Sequence, residues 1–427
     1  MKGYKKSRFV HAHSVPHDSG NLLALHHNLT GAFILAPADQ WYELEYSTSE
    51  PPKALIRNGF FIPAHVDETV VFDIWRQQYV HDFSTLLTKM MITRRCNNRC
   101  TYCNIQTETG EMSRETAETA DRFHARLIEE KQPRRVKDDY LGGEPLLNPE
   151  VMLQSVRRRH DFCRSRHIDY SFTFTTNGRL LVPELIEQLI PAGLSHIRVS
   201  LAGPEPFHDA LRPSAQGGKT YRRIIHNLKA ISHKAPLLIE CQYDAAAQDY
   251  KTFCKWMDEL KSYDLNIREI YFNPIMSARH QNLFDGGAGD PQIFLFLRKQ
   301  AGLRGLSAND RMTSNDCMAD LRSRMVIDVD GSIIACPALQ SGEFVYGNVD
   351  DGIDFVLESH ILTRRLPEKC RLECELLPLC LGGCRQQALT RQNDFFGIDC
   401  QYDVLRQVLE NFMEEKACQA MNLQKGV

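Results

Sequence analysis

Three thiols crowd into the stretch Cys96-Asn97-Asn98-Arg99-Cys100-Thr101-Tyr102-Cys103, spaced Cys-x3-Cys-x2-Cys and followed by Asn104. A loop this short can wrap three corners of one iron–sulfur cube and leave the fourth iron without a protein ligand. A zinc site is the plainer alternative. Zinc would want a second nearby Cys or His pair to complete its tetrahedron, and none follows closely.

A second group of thiols fills the last quarter of the chain. Cys317 precedes Gly331-Ser332-Ile333-Ile334-Ala335-Cys336, and then come Cys370-x3-Cys374-x5-Cys380-x3-Cys384, with Gly382-Gly383 inside the run, and Cys400. Short loops between thiolates suit clusters or zinc, whereas isolated core cysteines do not bunch in this way. Iron and zinc content separates the two. Cys163, Cys241, Cys254 and Cys418 fit neither group and read as buried or incidental thiols.

The elements that would carry these loops alternate. Leu86 to Thr93 reads as a strand delivering the first cysteine loop at its C-terminal end. After it come a helix at Arg114 to Lys131, a strand at Val136 to Leu141 and a helix at Pro149 to Arg166. Strands at Tyr170 to Thr175, His196 to Leu201, Leu237 to Tyr243 and Glu269 to Asn273 alternate with helices at Pro183 to Ala192, Tyr221 to His233 and Tyr250 to Ser262. Repeated strand–helix units imply a parallel sheet with helices outside and ligand sites at the strand C-termini. The loops there hold Gly142-Gly143-Glu144-Pro145, Thr176-Asn177-Gly178, and Ser200-Leu201-Ala202-Gly203-Pro204 followed by His208, Asp209 and Arg212. Glycines let backbone approach closely, and a fixed guanidinium suits bidentate recognition of a carboxylate. In the plainer reading these are tight turns, with His208 and Asp209 structural.

With Tyr102 before its last thiol, the Cys96–Cys103 loop resembles the signature of the radical S-adenosylmethionine (SAM) enzymes. The resemblance implies a [4Fe–4S] cluster on Cys96, Cys100 and Cys103 whose open iron chelates SAM. An electron then cleaves SAM to methionine and a 5′-deoxyadenosyl radical, which abstracts a hydrogen atom. It further implies a partial (β/α)6 barrel, with Gly142, Gly143, Glu144 and Pro145 around the SAM amino group, Ser200 on its ribose and Arg212 on its carboxylate. Ala202 stands where the family usually has an acid.

The C-terminal thiols resemble the SPASM extension, which binds auxiliary iron–sulfur clusters. That pattern usually opens its dense run with Cys-x2-Cys, one residue shorter than Cys370 to Cys374. Carried over, Cys317, Cys336 and Cys384 bind one auxiliary cluster, with no obvious fourth thiol. Cys370, Cys374, Cys380 and Cys400 bind a second. Gly347-Asn348-Val349 matches a turn and strand common between the two groups.

The expected organisation is a small N-terminal α+β unit over 1–80, the α/β barrel over 81–300 and the cysteine-rich domain over 301–427. In the first unit, Asn21 to Leu35 reads as two strands about Thr30-Gly31, Pro51 to Leu55 as a short helix, Asn58 to Pro63 as a turn and strand, and Asp67 to Gln78 as a helix. His26 and His27 would face opposite sides of a strand, a poor metal pair. Gly286-Gly287-Ala288-Gly289-Asp290 reads as a break, and Pro291 as the first residue of a helix.

Composition narrows the rest. The 427 residues are 43% hydrophobic and 25% charged with a formal net charge of −3, which argues against a broad nucleic-acid-binding face. No apolar run approaches the roughly 18 residues that span a membrane, and the basic start Met1-Lys2-Gly3-Tyr4-Lys5-Lys6 lacks a signal's apolar segment. Fourteen cysteines in such a chain suit metal ligation in a reducing cytoplasm. The leading expectation is a peptide maturase that takes a peptide or protein substrate and electrons from a donor such as flavodoxin or ferredoxin. It would make a crosslink or thioether, or epimerise a residue. An anaerobic sulfatase-maturating enzyme is the second reading. Pro337 stands where such relatives place an acid after the cysteine matching Cys336, and the acids near it, Asp328 and Asp330, can equally flank the turn at Gly331. A non-catalytic electron carrier or metal-binding protein is the alternative of another class, and it gives Gly142 to Pro145, Ser200 and Arg212 no purpose.

Overall fold

The computed structural model describes residues 3–425 except 17–19, 48, 104, 106–109, 244–249, 276–290, 307–311, 313, 315–316 and 340–341. Asn104 and the glycine-rich break at 286–290 lie outside the described residues. The chain divides into two units: one comprises 1–79, 309–317 and 364–427, the other 80–308 and 318–363.

In the first unit, β1 (Tyr4–Lys6) pairs antiparallel with β5 (Phe61–Pro63), and β2 (Val10–Val15), β3 (Leu22–His27) and β4 (Phe33–Pro37) form an antiparallel sheet in that order. Alternation along β3 sends Leu23 and Leu25 into a core with Val10, Trp41, Phe60 and Phe61. Ala24 points the other way, into a core with Val15, Leu376, Leu379 and Leu409, Phe412, Met413 and Ala417 of the helix Tyr402–Lys425. Burial of this second face is what draws the C-terminal helix onto the N-terminal sheet, at about 25 cal/mol per Å² of apolar area removed from water. The expected strands and helices of residues 21–78 are all present, with helices at Lys53–Arg57 and Glu68–Val80. His26 and His27 are both buried structural residues. His26 Nδ1 bonds Asn28 Oδ1 (2.8 Å), and His27 Nε2 bonds Ser7 Oγ (3.1 Å).

The second unit is built on a ten-stranded sheet. The strands β6 (Thr85–Thr93), β7 (Arg135–Gly142), β8 (Asp169–Thr176), β9 (Leu194–Ser200), β10 (Leu237–Tyr243) and β11 (Ile267–Pro274) lie parallel in sequential order, as a partial barrel of six βα units requires. β12 (Arg324–Ile327) then adds parallel to β6, and β13 (Ser332–Ile334), β14 (Val345–Asn348) and β15 (Gly352–Ile353) continue antiparallel. This differs from the expected separate domain over 301–427. The short apolar run Arg324–Ile327 completes the barrel sheet, while the segment from Arg364 joins the first unit through Leu366, Leu377 and Leu381.

Helix Arg114–Lys131 starts where the Ser113 hydroxyl accepts the Thr116 N–H (3.0 Å) and buries the stripe Ala117, Ala120, Phe123, His124, Leu127 and Ile128. Pro149 and Pro291 each occupy the first residue of a helix, Pro149–Ser165 and Pro291–Leu303.

Burial, and then the neighbouring His26, push the His27 imidazole down to about 4. An unfolded histidine takes up a proton near pH 6.5 that the folded one refuses until about pH 4, so the stability this residue contributes is present above 6.5 and lost as pH falls towards 4. Thermal unfolding followed from pH 7 to 4 should show a shallower loss in His27→Gln than in the parent, by at most about 1.4 kcal/mol per pH unit.

Candidate active site

Strand β6 ends at Thr93 and hands the chain into the first cysteine loop. That loop is held along its length by residues 211–215. Arg99 N–H donates to Pro213 O, Thr101 N–H to Leu211 O and Ala215 N–H to Asn97 O, each at 2.9 Å. The Arg179 guanidinium adds bonds to Asn97 O (2.5 Å) and Asn98 Oδ1 (3.0 Å). Cys96, Cys100 and Cys103 are partly buried thiols that form no disulfide. Cys96 Sγ accepts the Asn98 N–H (3.4 Å) and faces Asn177 Nδ2 (3.9 Å); burial pushes its thiol up to about 11, against the pull of that N–H.

The Gly142-Gly143 turn lies directly on the root of this loop. Gly142 has φ +143°, and a Cβ there would stand 1.9 Å from Thr93 O; at Gly143 it would stand 2.2 Å from Arg95 O. The close approach that these glycines permit is therefore to the chain's own backbone, sealed by Gly143 N–H to Thr93 O and Glu144 N–H to Arg95 O, both 2.8 Å. Glu144 is fully buried. Its carboxylate accepts from Leu146 N–H (3.1 Å), Thr176 Oγ1 (2.7 Å) and Asn177 N–H (2.7 Å), so it ties the loop after β8 to the loop after β7. Pro145 starts a single 3-10 turn.

Ser200 closes β9, buried and paired in register with Glu240 of β10. His208 and Asp209 are structural. His208 Nδ1 accepts the Ala202 N–H (3.2 Å), its Nε2 meets Thr220 Oγ1 (3.0 Å), and burial holds it neutral at about 3. Asp209 accepts the N–H groups of Thr220 (2.8 Å) and Tyr221 (2.9 Å), capping helix Tyr221–Ile231. Arg212 is buried beside the thiol loop. Its guanidinium donates to the Tyr102 hydroxyl and, at 3.4 Å, to Gln242 Oε1, while Nε has no hydrogen-bond partner among the described residues. Burial alone would lower its pKa, but Cys100, Tyr102 and Cys96 hold it above the ordinary arginine value.

The sheet's two faces differ in chemistry. On the helix side of β7, Asp138 is buried with Arg159 (3.1 Å) and Tyr170 (2.9 Å). The alternate residue, Asp139, faces the inside of the barrel with Lys89 (3.7 Å) and Arg198 (3.5 Å), and Arg198 reaches Glu240 (3.4 Å). Asp139 Oδ1 lacks a hydrogen-bond partner among the described residues. Burial raises the Glu240 carboxyl, Arg198 opposes that, and Asp139 adds to it. Thr175, Gln242 and Tyr271 lie on the same face. The inner wall next to the thiol loop is thus polar, with cations and anions interleaved.

In the first unit the dense cysteine run folds round glycines. Cys370 lies in helix Glu368–Glu373 and Cys374 caps its end, so the additional residue of this spacing is taken up as one helical turn that puts both thiols on one face. Leu381, Gly382 and Gly383 all have positive φ, curling the chain between Cys380 and Cys384. A Cβ on Gly383 would meet Asp399 O at 2.1 Å, which brings the Cys400 segment against that curl. Arg364, buried, donates to the carbonyls of Gly382 (3.2 Å) and Gly383 (3.0 Å). Burial raises Cys370, Cys374 and Cys380, Cys374 to about 11. Cys400 adds to the rise in all three, as neighbouring thiolates do. Cys317 and Cys384 belong to this unit and Cys336 to the other.

Among the described residues, no three His, Cys, Asp or Glu side chains gather about a single metal ion. A cube places each thiolate on a different iron, so its ligands surround a volume rather than a point. Three thiols on one clamped loop, none of them in a disulfide, beside a buried guanidinium whose Nε has no hydrogen-bond partner among the described residues, fit such a cluster with an anionic ligand on the open iron. Arg179, Gln242, Arg364 and the backbone clamp through Leu211, Pro213 and Ala215 escaped the sequence reading. Thr176-Asn177-Gly178 was visible only as a turn, and the others carry no motif of their own.

The fold is a partial barrel with the three thiols of one loop following its first strand. The radical SAM superfamily model matches residues 90–236. The chain carries a radical SAM domain, whose family works with a [4Fe–4S] cluster and SAM, and its cysteine-rich C-terminal region is consistent with a SPASM extension. It is 24% identical over 325 residues to the PqqA peptide cyclase of Ruegeria pomeroyi, covering 71% of this chain and 83% of that one. Among solved structures it resembles anSMEcpe with bound AdoMet and the Kp18Cys peptide (TM-score 0.62, 18% identity, 80% of this chain and 99% of that one). It also resembles Streptococcus suis SuiB bound to the precursor peptide SuiA (TM-score 0.53, 16% identity, 93% and 99%). At these identities the structural likeness speaks for the fold. No described helix is long and apolar enough to cross a membrane.

Gly142→Ala tests the apposition of the two loops. With no room for a Cβ beside Thr93 O, the variant should lose most of the iron expected on Cys96, Cys100 and Cys103, whereas Gly302→Ala, in a helix and with nothing near the added atom, should keep it. Iron quantitation of both proteins decides.

Proposed function

We propose that the protein is a radical SAM peptide maturase. The observation that carries the reading is the presence in one partial barrel of the clamped thiol loop after β6, the buried Arg212 bonded to Tyr102 of that loop, and the polar inner wall of Lys89, Asp139, Arg198 and Glu240. When bound, the cluster on Cys96, Cys100 and Cys103 together with SAM supplies an electron and a 5′-deoxyadenosyl radical able to take a hydrogen atom. The chain's own part is positional. Arg212 presents buried N–H donors to a carboxylate, with Tyr102 and Gln242 fixing its orientation, and Ser200 stands at the end of β9, paired with Glu240 of β10. Gly142, Gly143 and Pro145 shape the ledge, and Glu144 acts beneath it by tying that ledge to Asn177. Interleaved charges along the inner wall offer donors and acceptors to peptide groups, and exclude neither acidic nor basic side chains.

The relatives named as a PqqA peptide cyclase, and as SuiB with a bound precursor peptide, support a peptide substrate. Cys370, Cys374, Cys380 and Cys400 are proposed to hold an auxiliary cluster, because each lies within the others' electrostatic reach. For Cys317, Cys336 and Cys384 the proposal rests on the SPASM-like order alone. The sulfatase-maturating reading gains from the anSMEcpe likeness in fold, but its acid has no candidate here. Asp328 is engaged by the Arg94 guanidinium and its own loop, Asp330 accepts the Ser332 N–H (2.9 Å), and Pro337 follows Cys336.

Two outcomes follow. Cys96→Ala, Cys100→Ala or Cys103→Ala should abolish SAM cleavage, while Cys380→Ala should lower auxiliary iron and leave part of it, both read by 5′-deoxyadenosine formation and iron content. For the substrate, short peptides encoded beside the gene should change mass on incubation with reductant and SAM; unchanged masses across all of them, with SAM still cleaved, would overturn the peptide reading.

A further inference from the structure

The segment entering β2 carries a charge, that of Arg8, with no hydrogen-bond partner among the described residues. Its backbone is pinned: Ser7 N–H donates to Phe60 O (3.0 Å), the Ser7 hydroxyl to Glu68 Oε1 (2.6 Å), and Arg8 N–H to both Glu68 oxygens (3.2 and 3.1 Å). The Glu68 carboxylate is therefore occupied by Ser7 and the Arg8 backbone. The Arg8 side chain folds over the Phe9 ring, its Cζ 4.5 Å from the ring centre. Phe9 is buried with Leu366, Leu377 and Leu381, and Cys370 and Cys374 pack at the edge of that same group. All three Arg8 nitrogens are shielded from solvent, and none has a hydrogen-bond partner among the described residues. A guanidinium brings five N–H donors, and leaving them buried and unmatched is strongly unfavourable.

We propose that Arg8 donates hydrogen bonds to the auxiliary cluster held by Cys370, Cys374, Cys380 and Cys400, and so positions and tunes it. The inference rests on the proposed ligand set for that cluster. The guanidinium lies over the ring of Phe9, and Cys370 and Cys374 border the apolar group in which that ring is buried. Four thiolates give a cluster net negative charge that grows on reduction, and a donor cation on the sulfurs favours the reduced form. Arg8 is thus a route by which the N-terminal residues act on the redox chemistry of the C-terminal run.

The test uses the full chain with Cys96, Cys100 and Cys103 replaced by Ala, so that only auxiliary clusters report. The signal that Cys380→Ala removes is assigned to this cluster and followed by EPR-monitored redox titration. In Arg8→Gln and Arg8→Met the reduced-to-oxidised ratio at a fixed potential should fall about tenfold, equal to 59 mV for a one-electron couple. Arg8→Lys, which keeps the charge and loses the fork, should fall between. A measurement that needs no substitution accompanies it: with arginine labelled in 15N, pulsed EPR of the reduced cluster should show a nitrogen coupling that Arg8→Lys lacks. An unmoved potential with full iron, or a labelled parent without any coupling, would overturn the role of Arg8 and leave the cluster in place. If Cys380→Ala loses no iron, the ligand set itself is wrong and this inference falls with it.

Discussion

The active-site end of the sheet depends on one steric constraint: two backbones that touch with no side chain between them. Gly142 and Gly143 lie against Thr93 and Arg95 so closely that any Cβ would overlap a carbonyl oxygen, and two 2.8 Å hydrogen bonds close the contact. From that contact the thiol loop leaves in one direction. Glu144 reaches in the other to hold Thr176 and Asn177. Asn177 then returns to Asn97 at 2.6 Å, so three successive strand ends are locked into one ring. A reactive radical needs such rigidity, because placing reacting groups matters more here than acid–base assistance.

Charge is handled in the same economical way. Some buried ionic groups have their partners within the fold, as Asp138 has Arg159 and Tyr170, and others carry atoms with no hydrogen-bond partner among the described residues. Arg212 Nε, Asp139 Oδ1 and the Arg8 guanidinium are of the second kind. Buried polar atoms left unmatched are rare in folded proteins, so these three are informative about what the protein holds.

Much of this was legible in the sequence where a pattern repeats. The helices Arg114–Lys131 and Tyr250–Ser262 and the strand Leu237–Tyr243 match the periodicity residue for residue, because each buries one regular face. Non-local pairing was not legible. Nothing in Arg324–Ile327 says that it will add to β6, and nothing in Tyr402–Lys425 names the N-terminal sheet as its partner. At the site, residue types announced themselves and their directions did not. Glu144 belongs to a conspicuous motif, but that its carboxylate bonds Thr176 and Asn177 was not announced, and Arg179, in no motif, clamps the thiol loop.

The account stands or falls on whether this thiol loop, Arg212 and the glycine ledge cleave SAM. The direct measurement is anaerobic reconstitution of the parent chain, with iron quantified, followed by strong reduction in the presence of SAM and assay of 5′-deoxyadenosine. The account predicts its formation, with methionine released in equal amount. A fully iron-loaded protein that forms none under reduction would contradict it.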